Sequence, residues 1–277
     1  MTILELPDGL HEDVPEATYH QRIPGVASKS ALELVARSPA HYAAWLAGAE
    51  REETEALAFG KALHCSLLEP AVYERRYVVA PAFGDCRKKE NKALRDAWRK
   101  ENEGRVPLEK SDALAILGMN DSVMAHPLAG KMLEEGRSEL TMKWTDAETG
   151  IICKGRSDRY VERLGLCLDV KTTEDARPGP FAKSVANYGY FKQAAFYTDG
   201  FAAVGAPLHY FAFVCVEKSP PYAVAVYALD AEAIEQGRKW TRRALNTLAD
   251  CIERGEYPGY ETTIKTLSLP NWAKDAA

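Results

Sequence analysis

The 277-residue chain holds no apolar run long enough to cross a bilayer. Its most apolar stretch, YFAFVCV at 210–216, falls far short of the roughly 20 residues a transmembrane helix needs. The N-terminal MTILELPDGLHEDVPEA is acidic and lacks the basic and apolar regions of a signal peptide. Cysteine is sparse and dispersed: Cys65, Cys86, Cys153, Cys167, Cys215 and Cys251 make no CxxC pair and no Cys/His cluster. That argues against a zinc or iron–sulfur site and points to free thiols in a reducing cytoplasm, with no membrane association. Repeats and low-complexity tracts are absent. Positive charge is not in excess either. Lys and Arg number 35 against 40 Asp and Glu, a net charge of −5, so any DNA binding must rely on local basic patches and metal-masked carboxylates.

What is present is the composition of an ordinary folded protein, 46% hydrophobic and 27% charged, in a chain that can bury a substantial core. The first half reads helical. Ser28-Lys29-Ser30 is a capping context before ALELVARS, Ser38-Pro39 opens AHYAAWLAGAE, and ALAFGKALHCSLLE runs to Pro70. More helical sequence continues to Gly136. The period then changes: SELTMKW (138–144), IICKGRSDRYV (151–161) and LCLDVKT (166–172) read as consecutive strands. Helix returns over 180–203, followed by LHYFAFVCVE and YAVAVYAL as strands and a long helix over 230–254. The expected architecture is one α/β domain over 1–277. It comprises a mainly helical part (1–136), a mixed-sheet core with flanking helices (137–255) and an irregular tail (256–277).

The sharpest chemistry lies in GRSDRYVERLGLCLDVKTT. With the loop centred on Arg163–Leu164, facing residue numbers sum to 327, which sets Asp158 against Asp169 with Cβ atoms roughly 5 Å apart. Two facing anions repel, and a divalent cation between them reverses the sign of the interaction. Lys171, two residues beyond Asp169, falls on the same strand face, while Leu166, Leu168 and Val170 fall on the other. Two carboxylates and an ammonium are the parts of metal-assisted phosphodiester hydrolysis, and oxygen ligands suit Mg²⁺ or Mn²⁺. The competing reading is a surface hairpin with a solvated Asp–Lys pair.

With these residues in view, the chain resembles the PD-(D/E)XK nucleases, and within them the RecB-like branch. The ordered elements are Gly60-Lys-Ala-Leu-His64, Asp158, Asp169-Val170-Lys171 and Gln193-Ala-Ala-Phe-Tyr197. RecE-type exonucleases (exonuclease VIII) are more similar still, from SKSALELVARSPAHY through FGKALHCSLLEP, ETGIICKGRSDRY, LDVKTTED and QAAFYTDGF to IKTLSLPNWAK. The resemblance implies a restriction-endonuclease-like α/β fold. It also implies a bacterial or phage-encoded, Mg²⁺-dependent 5′→3′ exonuclease that works from double-stranded DNA ends and leaves 3′ overhangs, with Mn²⁺ substituting. By resemblance His64, Asp158, Asp169 and the Val170 carbonyl are metal ligands, Lys171 is the catalytic lysine, and Gln193 and Tyr197 support the site. A ligating imidazole must be neutral, so activity should fall at acid pH. A ring-shaped homo-oligomer and a RecT-type single-strand annealing partner are implied in the same way.

Other positions stay open. Glu139 is either a further carboxylate near the metal or an exposed strand residue. The segment RKKENKALRDAWRK (87–100) has seven basic residues against two acidic ones. Its Lys88, Lys89, Lys92 and Arg95 either follow a phosphate backbone or belong to a solvated helix. Arg22, Ser28 and Ser30 fall where lambda-type exonucleases hold a 5′-phosphate, although helix capping accounts for a serine there equally well. A structure- or sequence-specific endonuclease, or a non-catalytic DNA-binding scaffold, would share the same sequence features.

Overall fold

The change of sequence period after Gly136 is where the chain turns from helix to sheet. The computed structural model describes residues 1–49 and 54–269. Glu50, at the end of the second predicted helix, and the final part of IKTLSLPNWAK, from 270 on, lie outside the described residues.

Chain order begins with β1 (Gly9–His11), α1 (Glu16–Tyr19) and β2 (Val26–Ala27). Then come α2 (Lys29–Arg37), α3 (Pro39–Leu46), α4 (Glu55–Leu68), α5 (Pro70–Arg76), β3 (Tyr77–Val79) and α6 (Lys89–Glu101). They are followed by β4 (Val106–Leu108), α7 (Lys110–Ala125) and α8 (Ala129–Glu134). The sheet part carries β5 (Arg137–Thr145), β6 (Ile152–Val161) and β7 (Leu166–Thr173). A crossover through α9 (Pro178–Asn187) and α10 (Tyr190–Ala203) leads to β8 (Tyr210–Glu217), β9 (Val224–Ala228) and α11 (Ala231–Arg254). Helix starts follow the capping chemistry of their sequences. Ser28, Thr54 and Asp230 each accept the backbone N–H three residues on, and Pro39 and Pro70 occupy first-turn positions where a missing N–H does no harm.

The main sheet runs β1-β5-β6-β7-β8-β9, with β2 added to β6. β5, β6 and β7 are antiparallel, β7 and β8 parallel, and β8 and β9 antiparallel, so the sheet is mixed as expected. The short β1 and β2, and the separate β3–β4 pair, were not anticipated. Strands of two or three residues carry no readable alternation, and their partners are set by tertiary structure: β1 joins β5, β2 joins β6, and β3 and β4 pair with each other.

The hairpin register is the predicted one: Arg159 faces Leu168, Tyr160 faces Cys167 and Val161 faces Leu166. Gly165 makes the return possible. Its φ is +54°, and a Cβ there would lie 2.8 Å from the His209 ring. Alternation splits β7 as the pattern requires. Leu166, Leu168 and Val170 pack with Leu63, Met119 and Leu133 of α4, α7 and α8, whereas Cys167 joins an aromatic core with Phe196, Phe201 and Phe213.

Candidate metal centre

Beyond Arg159 the hairpin forks. The β6–β7 ladder ends at Arg159 and Leu168, and the beginning of β6 instead pairs in parallel with β2, Ile152 to Val26 and Cys153 to Ala27. Asp158 and Asp169 sit at the opening. They are not a ladder pair; the Asp158 carboxylate itself bridges the fork, accepting the Val170 N–H at 2.6 Å.

Asp158 is 8% exposed and Asp169 2%, so neither charge is left to water. From α4, His64 closes on the fork: its Nε2 lies 3.0 Å from Asp158 Oδ2 and 3.0 Å from the Val170 carbonyl oxygen. An imidazole nitrogen, a carboxylate oxygen and a backbone carbonyl thus converge on one point. On the other limb of the fork, Lys171 pairs with Asp169, whose second oxygen accepts Gln193 Nε2 at 2.5 Å. The Lys171 ammonium stands 4.8 Å from the centre of the Tyr190 ring.

Glu139 approaches from β5. It would face Asp158 in the β5–β6 register, yet the ladder passes from Ser138–Arg159 directly to Leu140–Ser157. At that gap Glu139 has φ +50°, a left-handed conformation that bulky L residues rarely adopt. Among the described residues, His64, Glu139 and Asp158 form the one group of three His, Cys, Asp or Glu side chains whose ligand atoms all lie within 4.8 Å of one another. Asp169 is not in that trio; its carboxylate is met by Lys171 and Gln193.

The charges act strongly on one another. Burial disfavours the His64 imidazolium, but Asp158 outweighs it and holds the imidazole up to about 9. Burial raises Asp158, and His64, Lys171 and the Val170 N–H more than reverse that, leaving it below the usual carboxylate range. Asp169 is raised, chiefly by burial and also by Asp158, with Lys171 opposing. Burial and then Asp158 push Glu139 up to about 7. Burial opposes the Lys171 charge, yet Asp169 and Asp158 keep it above its ordinary value. A site that must recruit an imidazolium for its carboxylates is suited to a divalent cation, which would replace that proton. The donor set of nitrogen, carboxylates and a carbonyl fits Mg²⁺ or Mn²⁺.

The centre lies at the wall of a cavity of about 740 Å³. Glu139, His64, Val170, Lys171 and Tyr190 line it, together with Arg76, Arg156 and Lys61, so cationic side chains share the space with the acids. Across it, Arg76 pairs with Glu16 of α1 at 2.7 Å. Arg156, two residues before Asp158 on the same strand, donates to Thr141 Oγ1 and the Val14 carbonyl and lies 4.0 Å from Glu139. Its spacing from Asp158 could have flagged it; nothing in the sequence marked Tyr190.

The remaining predicted residues are placed as follows. Tyr197, one turn from Gln193, is 8% exposed and packs in the aromatic core, where burial first, then Tyr19, Asp169 and Asp158, hold its hydroxyl well above its ordinary range. A Cβ on Gly155 would meet its ring at 3.2 Å, so the lack of a side chain at Gly155 is what lets α10 seat it against β6. Ser28 caps α2, Arg22 donates to the Trp45 and Ala49 carbonyls, and Ser30 is exposed; none of the three lines the cavity. Lys88, Lys89 and Lys92 are exposed on or beside α6, and Arg95 pairs with its neighbour Asp96. No helix among the described residues is long and apolar enough to cross a membrane.

The sequence model of a family described as a PDDEXK-like domain of unknown function (DUF3799) matches residues 28–268. No match was found among curated proteins. Among solved structures, a protein from Eubacterium rectale named a putative exonuclease superposes with a TM-score of 0.61 at 14% identity, over 96% of this chain and 99% of its own. That likeness is one of fold. A phage related exonuclease from Haemophilus somnus 129PT aligns over 63% of this chain and 92% of its own at 12% identity, with a TM-score of 0.33, too low to argue from.

Proposed function

Because this chain belongs to the PDDEXK-like family, we propose that it is a Mg²⁺-dependent deoxyribonuclease that degrades one strand of double-stranded DNA from its ends, 5′→3′, leaving 3′ overhangs. The observation that carries the reading is the convergence of His64 Nε2, Asp158 Oδ2 and the Val170 carbonyl beside the Asp169–Lys171 pair. Digestion from ends is supported by the fold shared with the Eubacterium rectale protein, and strand polarity by the RecE-type motifs in the sequence.

His64, Asp158, Asp169 and the Val170 carbonyl would hold the cation. When bound, it supplies positive charge to a phosphate oxygen and lowers the pKa of a coordinated water. The chain's own residues do the rest. Asp169 fixes the Lys171 ammonium at the cavity wall, where it can orient a water or offset charge growing on the phosphoryl oxygens. Gln193 fixes Asp169 in turn. The basic face of α6 can follow the backbone of the duplex. A ring-shaped homo-oligomer threaded by DNA, and a partner that anneals the exposed single strand, complete the proposal; both rest on the RecE-type resemblance.

Duplexes labelled at either the 5′ or the 3′ terminus, digested with Mg²⁺ or EDTA, test the reading. Early release of 5′ label that EDTA abolishes is the expected result. Early loss of 3′ label would reverse the polarity. Cleavage of closed circles would make the protein an endonuclease, and binding without degradation would leave only a scaffold.

A further inference from the structure

We propose that Glu139 is a ligand of the same cation, supplied by a deliberate break in β5. The inference rests on the nuclease reading's metal centre and adds to it a residue that lies outside the Asp…Asp-x-Lys hairpin.

β5 pairs with β6 on both sides of Glu139, through Ser138–Arg159 and Leu140–Ser157, so the register is unbroken and only the Glu139–Asp158 step is missing. An ordinary strand residue at that step would face Asp158 across the ladder. Glu139 instead takes φ +50°. The backbone therefore departs from extended geometry at a single residue and recovers immediately. Left-handed conformations at non-glycine residues persist where the surroundings impose them, and they concentrate at functional sites.

The turn brings the Glu139 carboxylate to His64 and Asp158, with all three ligand atoms within 4.8 Å. A partly buried glutamate placed beside a buried aspartate is unfavourable unless positive charge joins them. Arg156, on Glu139's own sheet, pairs with it only at 4.0 Å through Nη1, while its Nε and Nη2 donate to Thr141 and Val14. The carboxylate is thus left aimed at the point where His64 meets Asp158. A hard divalent cation prefers several oxygen ligands, and Glu139 supplies the one that the hairpin itself does not.

The test compares Glu139→Gln, Glu139→Gly and Asp158→Asn with the parent, measuring Mn²⁺ affinity by calorimetry and the melting temperature without metal. Glu139→Gln should weaken Mn²⁺ binding by at least about tenfold, the scale on which groups that shape a metal site act. Glu139→Gly, which accepts a positive φ freely and removes the like charge, should melt higher than the parent without metal and gain less from Mn²⁺. Unchanged Mn²⁺ affinity in Glu139→Gln alongside a loss in Asp158→Asn would overturn the role of Glu139 and leave the centre standing. Unchanged affinity in both variants would remove the centre as well. A lower metal-free melting temperature for Glu139→Gly would show instead that Glu139 is a structural partner of Arg156.

Discussion

Gln193 holds Asp169 by a 2.5 Å hydrogen bond from α10, and Asp169 in turn holds Lys171. Lys171, the lysine proposed to act on the phosphate, is therefore positioned through two side chains on two different elements, β7 and the crossover helix. Groups that orient a reactive residue in this way typically matter by about 10–100-fold. Gln193→Ala should lower kcat by that amount while leaving KM for duplex ends and the melting temperature nearly unchanged. Steady-state kinetics on end-labelled duplex checks this. A change in KM alone would mean that Gln193 contacts DNA.

Asp169→Ala and Lys171→Ala should each abolish hydrolysis, and circular dichroism should show both variants folded. Lys171→Ala leaves Asp169 buried with Gln193 as its remaining neutral partner, so this variant should also melt lower at neutral pH. Undiminished digestion by either purified protein would contradict the assignment.

Proton linkage at the centre has a definite sign. His64 is raised from 6.5 to about 9 in the folded, metal-free protein, so its stabilising contribution is complete below pH 6.5 and disappears as pH rises through 9. Glu139, raised from 4.5 to about 7, likewise favours the folded state at low pH and ceases to do so as pH climbs from 4.5 through 7. The metal-free protein should therefore melt lower at pH 9 than at pH 6. The cation competes with these protons, so Mn²⁺ should bind with release of about one proton at pH 8, and its affinity should rise with pH. Calorimetry in buffers of different ionisation enthalpy counts the protons. No buffer dependence would mean that His64 is already neutral.

Neutralising Lys88, Lys89 and Lys92 together should weaken duplex binding similarly for all sequences and flatten its salt dependence. The log–log slope should fall by about 0.9 for each phosphate that α6 no longer neutralises. Binding across a salt series measures it. An unchanged slope would identify α6 as a solvated helix that does not touch DNA.

Much of this was legible in the chain because it rested on periodicity and register. The alternation of LCLDVKT placed Leu166, Leu168 and Val170 on one face, and the Glu162–Gly165 loop fixed the residues that face each other near the turn. The fork was not legible. Continuing the same sum to Asp158 and Asp169 treats the ladder as uniform, whereas β6 leaves β7 for β2, a partner more than a hundred residues away whose two residues have no pattern of their own. Spacing on α10 carried part of the information: Tyr197 shares a face with Gln193 and lies buried where Gly155 makes room for its ring, within reach of the Asp169 and Asp158 charges, but its burial was not legible from spacing. Glu139 was visible as a residue and invisible as a conformation, since its φ follows from three-dimensional surroundings and not from local propensity.

Anomalous diffraction from crystals grown with Mn²⁺ tests the account most directly. It predicts manganese density between His64 Nε2, the Asp158 carboxylate and the Val170 carbonyl oxygen, with His64 no longer donating to either oxygen. Crystals at saturating Mn²⁺ with no anomalous density there, and His64 still hydrogen-bonded to Asp158, would contradict it.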